Sequence, residues 1–396
     1  MTRIVLHPLE GVQPPVVARV SGDPEVLREA AAGLPDGAAT PEAIAARVRR
    51  AGGELVWGDP APAPNGASRL GFCHARGASS LALVRADPSL LPDLRLGSYF
   101  EAHVFRRLLR RALLAARLPV RAPPALAADA AFWGGVRSVA TAREWERLTR
   151  SSYVVLFYHR IAGDGKPSQE RLDVAPEVFE RHMRWLRRLR LQPLAVDELL
   201  AFHSDPEATL PPRAVVLCAD DGFRDAVLEL RRRNDLRPIL FVTTDAVGGS
   251  APWPWADGEA IASWPELREF ASNGGEVASH TRSHASLPEL DAKSLAVELG
   301  ESLQDLRAHV PQAAPLLAYP HGRNNEAVRA AAAAAGYRAA FSTLAGRNGA
   351  GTDRFRLRRV GLKDWDGAAA FAWKALTGEL VPWSIERWRL RVRALR

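Results

Sequence analysis

Cysteine is nearly absent from this sequence: Cys73 and Cys218 are the only two in 396 residues. Two thiols build neither a disulfide framework nor a multi-cysteine zinc site, and their scarcity suits a reducing compartment. Long apolar runs are missing as well. No stretch approaches the roughly 18 uninterrupted apolar residues of a membrane-spanning helix. The opening MTRIVLHPLEGVQPP lacks the basic start and apolar stretch of a secretory signal. The expectation is a cytoplasmic protein. No repeat of fixed period is visible, and no nucleic-acid-binding motif accompanies the basic residues, so no nucleic-acid partner is expected.

What is present is an ordinary globular composition, 47% hydrophobic and 25% charged, long enough to bury a sizeable core and to form two domains. The net charge of +8 favours anionic partners such as membrane surfaces or phosphorylated sugars.

Residues 1–118 read as a mixed α/β unit. Helical patterns fall at 24–32 and 41–51, and strand-like runs at 3–6 and 80–84. Residues 99–118 read as one amphipathic helix, with Phe100, Val104, Leu108 and Leu114 set among arginines and Pro119 at its end. Its arginines are expected in water, with docking to an anionic membrane as the alternative. The prolines and alanines of 119–131 suggest a linker occupying 119–151. From 152 to 370, short apolar strands (154–158, 214–219, 239–243, 276–279, 316–319) alternate with helical segments. That alternation argues for parallel strands in an α/β sheet or barrel. Residues 371–396, rich in arginine and tryptophan, read as a basic amphipathic tail, suited to packing or to peripheral contact with the inner membrane face. Nothing in the sequence signals an oligomeric state.

Three polar segments stand at strand ends. The first is Leu217-Cys218-Ala219-Asp220-Asp221-Gly222. Two carboxylates directly after a buried strand are costly unless paired or metal-bound, although Asp-Asp-Gly is also a plausible turn. The second is His280-Thr281-Arg282-Ser283-His284, whose two histidines four apart can share one face of a helical turn and grip a metal. The third is Ala318-Tyr319-Pro320-His321-Gly322. One Asp and two His make a three-ligand set that leaves positions open for water and substrate, and the adjacent Asp stays available as a base.

These segments resemble the NodB-type polysaccharide deacetylases, carbohydrate esterase family four, with their Thr-Phe-Asp-Asp-Gly, His-x-x-x-His and Pro-Tyr-Gly-type motifs. The resemblance implies an irregular (β/α) barrel over 152–370, beside a separate N-terminal α/β domain. It implies Asp220 as general base, Asp221, His280 and His284 as metal ligands, and zinc as the metal, with cobalt or nickel as alternatives. Leu156-Phe157-Tyr158-His159-Arg160 is similar to a permuted branch that includes poly-N-acetylglucosamine deacetylases, and by that similarity His159 is the general acid. Cys218-Ala219 replaces Thr-Phe, and His321 stands where a tyrosine is usual, its backbone N–H keeping the oxyanion role. The arginine that orients the catalytic aspartate would fall at Ala318 and is absent; Arg359 is the candidate substitute.

The implied activity is removal of N-acetyl groups from an amino-sugar glycan or glycoconjugate. Tyr319, Pro320 and Trp255 are candidate substrate contacts, and Trp253 and Trp264 lie in the same region as sugar-stacking or core residues. Two alternatives stand beside it: a non-catalytic glycan-binding protein on this fold, and a hydrolase of a non-sugar amide.

Overall fold

The computed structural model describes residues 3–8, 17–22, 54–57, 66–116, 123–162, 172–256 and 258–382. The chain divides into two compact units, Met1–Ser151 with Gly349–Gly351, and Ser152–Asn348 with Thr352–Arg396. The helical patterns expected at 24–32 and 41–51, and the tail beyond 382, lie outside the described residues. Among the described residues no helix is long and apolar enough to cross a membrane.

The first unit holds a three-stranded sheet. Strand β1 (Arg3–Pro8) runs antiparallel to β2 (Val17–Gly22) and parallel to β3 (Glu54–Trp57). Four helices follow: α1 (Gly66–Ala86), α2 (Val104–Ala116), α3 (Pro124–Val139) and α4 (Ala142–Thr149). The strand expected at 80–84 lies inside α1. Cys73, Arg76, Gly77, Ser80 and Leu81 are buried at intervals of three and four, the period of a helix face, which a short apolar run alone does not reveal.

The helix expected over 99–118 is also shorter. Phe100 lies in a 3-10 turn, Arg95–Glu101, and the α-helix begins at Val104. Its arginines are not all in water. Arg110 is buried and donates Nε to Asp129 Oδ2 at 2.7 Å, while Arg95 reaches Oδ1 of the same carboxylate at 2.8 Å. Arg107 is buried against the Phe100 carbonyl. A buried carboxylate needs cationic partners, and this need overrides the outward bias of arginine.

The linker expected over 119–151 is helical from 124 to 149. Pro124 occupies the first turn of α3, where a missing N–H costs nothing. Phe132, Trp133 and Val136 are buried on one side of that helix. Thr141 and Glu144 form a capping box that starts α4. Proline among alanines here marks a helix start.

The second unit is a mixed α/β fold built on a parallel sheet. Its central strands are β4 (Ser152–Tyr158), β8 (Ala214–Ala219), β9 (Ile239–Val242), β10 (Glu276–Ser279), β11 (Leu316–Ala318) and β12 (Ala339–Phe341), neighbouring one another in that order. Two short strands, β5 (Arg160–Ile161) and β6 (Asp173–Val174), pair separately, and β7 (Gln192–Pro193) flanks β8. The strands are buried on both faces, as parallel strands under helices must be. Connecting helices include α5 (Pro176–Arg188), α6 (Val196–Ser204), α7 (Arg224–Leu230), α8 (Trp264–Ser272), α9 (Ala292–His309) and α10 (Glu326–Ala334).

The segment after β12 joins the two edges of this array. Leu357 bridges in parallel to Phe341 of β12, and strand β13 (Val360–Gly361) pairs with Leu156 and Phe157 of β4. The sheet thus curls into the irregular barrel that the sequence implied. Helix α11 (Ala368–Thr377) backs this closure, its buried Lys374 donating to Asp366 at 2.8 Å and to the Gly361 carbonyl at 2.9 Å. Phe371 and Ala375 belong to the core of this unit, so residues 371–377 are core helix, which corrects the tail expected from 371 onward.

Candidate metal centre

His159, Asp220, Asp221 and His280 stand one or two positions beyond the C-terminal ends of parallel strands, where side chains and loops of such sheets converge. The sheet ladder continues into the site. Asp220 N–H donates to the Tyr158 carbonyl at 3.0 Å, His280 N–H to Val242 at 2.8 Å, and Tyr319 N–H to Phe341 at 3.0 Å. The first residue after each strand is therefore fixed by the same hydrogen bonding that builds the barrel.

Beyond that point the backbone leaves ordinary conformations. Asp221 (φ 72°), Thr281 (φ 67°), His284 (φ 66°) and His321 (φ 57°) are left-handed without being glycine. Such residues cost on the order of 1–3 kcal/mol each and gather at functional sites. Gly222 follows at φ 84°, where an added Cβ would lie 3.2 Å from Val242 Cγ1. The segment 280–284 forms bends, not the helical turn expected from its spacing. Its two imidazoles converge because Thr281 and His284 turn the chain back.

The convergence is close. Asp221 Oδ1 lies 3.3 Å from His280 Nε2 and 3.5 Å from His284 Nε2. One ligand atom from each of the three residues lies within 4.8 Å of the others. His280 Nδ1 faces the Ala318 carbonyl at 2.8 Å, which fixes that nitrogen as the donor and leaves the Nε2 lone pair pointing at Asp221. Asp221 Oδ1 is buried and has no hydrogen-bond partner among the described residues. A carboxylate and two imidazoles, with an orphaned buried oxygen between them, fit a divalent cation with open positions.

Asp220 is held differently. Arg359 Nη1 donates to its Oδ1 at 2.6 Å, and Arg359 Nε donates to the Ser342 carbonyl at 3.0 Å. The guanidinium stacks over Phe157, 4.5 Å from the ring centre. Both partners are fully enclosed, Arg359 at 1% and Asp220 at 2% exposure. Burial alone would raise the Asp220 carboxyl, but Arg359, aided by His280 and His159, holds it below the ordinary range. Asp221 feels the same burial and is brought to about 2 by His280, His159 and His284. Each of the adjacent carboxylates is held below the ordinary range by partners of its own, Asp220 chiefly by Arg359 and Asp221 by the imidazoles around it.

Burial pushes His159 down, against the opposing pull of Asp221 and Asp220. Its ring packs between Phe157, 5.6 Å away, and Trp255, 6.0 Å away and edge-on. Burial and the neighbouring His280 lower His284 to about 3, the neutral form that a ligand requires. Trp253 meets His284 edge-on at 5.1 Å and lies parallel to Trp255, so two tryptophans of one loop touch both histidines. His321 is exposed beside His284, their rings 4.8 Å apart.

Other expected contacts fall elsewhere. Tyr319 is wholly buried and donates its hydroxyl to the Phe355 carbonyl at 2.9 Å; Pro320 is buried as well. Neither side chain offers a surface to a sugar, and Tyr319 packs in a core cluster with Val328 and Ala332 of α10. Trp264 stacks on His309 at 4.2 Å, between α8 and α9. Sequence reasoning missed Arg160, which is buried and joins Asp225 and Glu259, both at 2.9 Å. Its partners lie so far along the chain that no local pattern marks them.

Residues 207–340 match the family model described as polysaccharide deacetylase. Over that stretch the chain is similar to the polysaccharide deacetylases. No curated protein matches the chain. Among solved structures, the deacetylase fold resembles the Streptococcus pyogenes deacetylase PplD in complex with acetate. The identity is 21% and the TM-score 0.50, over 57% of this chain and 98% of that one. IcaB from Ammonifex degensii aligns at 22% identity and a TM-score of 0.48, over 57% of this chain and 97% of its own. The matched stretch contains all three residues of the Asp–His–His cluster.

Proposed function

We propose that the deacetylase domain is a metal-dependent hydrolase that removes N-acetyl groups from an amino-sugar glycan or glycoconjugate. The family implies deacetylation of glycans. The observation that carries the finer reading is the pairing of two adjacent aspartates with different partners. Asp221 faces two imidazoles, and Asp220 faces an arginine.

Asp221, His280 and His284 would hold the divalent cation, zinc by donor type, with cobalt or nickel as substitutes. When bound, such a cation polarises an amide carbonyl and lowers the pKa of water from about 15.7 to roughly 7. Asp220, ionised and fixed by Arg359, accepts the proton of the attacking water. The backbone N–H of His321 donates to the oxyanion, a role that needs no particular side chain. His159 protonates the leaving amine so that acetate departs. Its lowered pKa makes it a readier proton donor once charged. Trp255, half-buried beside His159, offers a ring face for a sugar.

Acetate release from a panel of N-acetylated sugars, sugar nucleotides and oligosaccharides tests the reading, with Asp220→Asn as control. Release that disappears in the variant supports it. Retained metal without release from any member would point to glycan binding or to a non-sugar amide.

A further inference from the structure

The loop between the two histidines needs something to hold it. Thr281 is β-branched and left-handed, and His284 is left-handed as well. Such backbone persists only where its surroundings over-determine it. Its backbone hydrogen bonding is accounted for group by group. The Thr281 and Arg282 carbonyls accept the N–H groups of Thr244 and Asp245, at 3.2 and 2.9 Å. The Thr281 N–H donates to Ser279 Oγ, and the His284 N–H to Thr281 Oγ1.

The two remaining N–H groups share one acceptor. Arg282 N and Ser283 N both donate to Glu298 Oε2, at 3.1 and 3.0 Å. Ser283 Oγ donates to the other carboxylate oxygen, Oε1, at 2.5 Å. Glu298 lies on α9, which is itself tied to the end of β10. Ser302 of that helix meets Ser279 Oγ at 2.9 Å, and Glu301 pairs with the Arg282 side chain. Residues 298, 301 and 302 recur at helix spacing, so one face of α9 serves the loop.

We propose that Glu298 is a positioning residue of the metal centre, its carboxylate setting the loop so that His280 and His284 both aim at Asp221. This inference rests on the metal-site reading of Asp221, His280 and His284. Glu298 touches neither ligand ring. It acts through the backbone of Arg282 and Ser283, by geometry and not by charge. Substitutions of outer groups that orient metal ligands typically cost about 10–100-fold in metal affinity.

The test uses the full chain stripped of metal, titrated with Co2+ by visible absorption and with Zn2+ against a chromophoric chelator. Glu298→Ala is expected to weaken binding about 10–100-fold and to alter the Co2+ absorption bands, with thermal unfolding of the metal-free protein near that of the parent. Glu298→Gln is expected to bind like the parent. Its amide oxygen accepts both N–H groups, and its NH2 donates to Ser283 Oγ, whose hydroxyl rotates. Parental affinity and spectrum in Glu298→Ala overturn the proposal. So does a Glu298→Gln variant as weak as Glu298→Ala, which would assign the effect to charge. A parent chain that binds neither ion overturns the metal-site reading itself, before any variant is compared.

Discussion

Arg359 and Asp220 are 139 residues apart in the chain and 2.6 Å apart in the fold, both enclosed by the barrel. The arginine that usually precedes the third deacetylase motif is absent at Ala318. The arginine that meets Asp220 comes instead from the segment that closes the barrel between β12 and β4. Arg359 lies directly before the short strand of that segment that pairs with β4. Its guanidinium is further fixed by the Ser342 carbonyl and the Phe157 ring.

Arg359→Met leaves the Asp220 carboxylate buried without its cation. Removing one partner of a buried pair typically costs about 3–5 kcal/mol, which thermal unfolding will read. The parent carboxyl lies below 3.8 and so is ionised throughout the neutral range. Without the arginine its pKa rises, and the acid limb of the rate profile moves to higher pH. An unmoved acid limb would separate Arg359 from the base.

His284→Ala removes one of the three proposed ligands. Bound zinc per chain, measured after gel filtration, is expected to fall well below that of the parent, and turnover with it. Chelation of the parent should abolish turnover, and added Zn2+ or Co2+ should restore it. Undiminished turnover in His284→Ala contradicts the ligand assignment.

Trp255→Ala tests the sugar platform. Aromatic contacts contribute about 0.5–1.5 kcal/mol beyond their buried area, so KM is expected to rise roughly two- to tenfold. Metal affinity should hold, since the ring touches His159 and not a ligand. A fall in kcat at unchanged KM would assign Trp255 to orientation of His159 instead.

Asp129 predicts a pH dependence in the first unit. Burial raises its carboxyl, but Arg110 and Arg95 outweigh that and bring it below 3.8. A depressed folded value stabilises above the unfolded value and loses that contribution as pH falls through the folded one. The gap in unfolding free energy between the parent and Asp129→Asn should therefore be constant from about pH 6 to 8 and shrink below about pH 4. A gap that widens on acidification would reverse the sign.

Local pattern determined much of this protein. The strands at 214–219 and 276–279, the alternating helices, and the polar residues at strand ends all follow from apolar periodicity and from the cost of burying carboxylates and histidines. Tertiary structure decided the rest, through pairings that no window of sequence contains. Asp129 drew Arg110 inward from what read as a solvated helix, and Arg95 joins it from the preceding turn. Packing of Phe132 and Trp133 turned an expected linker into helix, and left-handed turns at Thr281 and His284, not helical spacing, brought two imidazoles onto one carboxylate. The closure of the barrel likewise set Arg359 against Asp220. Periodicity encodes which face of an element is buried; which charge meets which is settled only when distant elements pack.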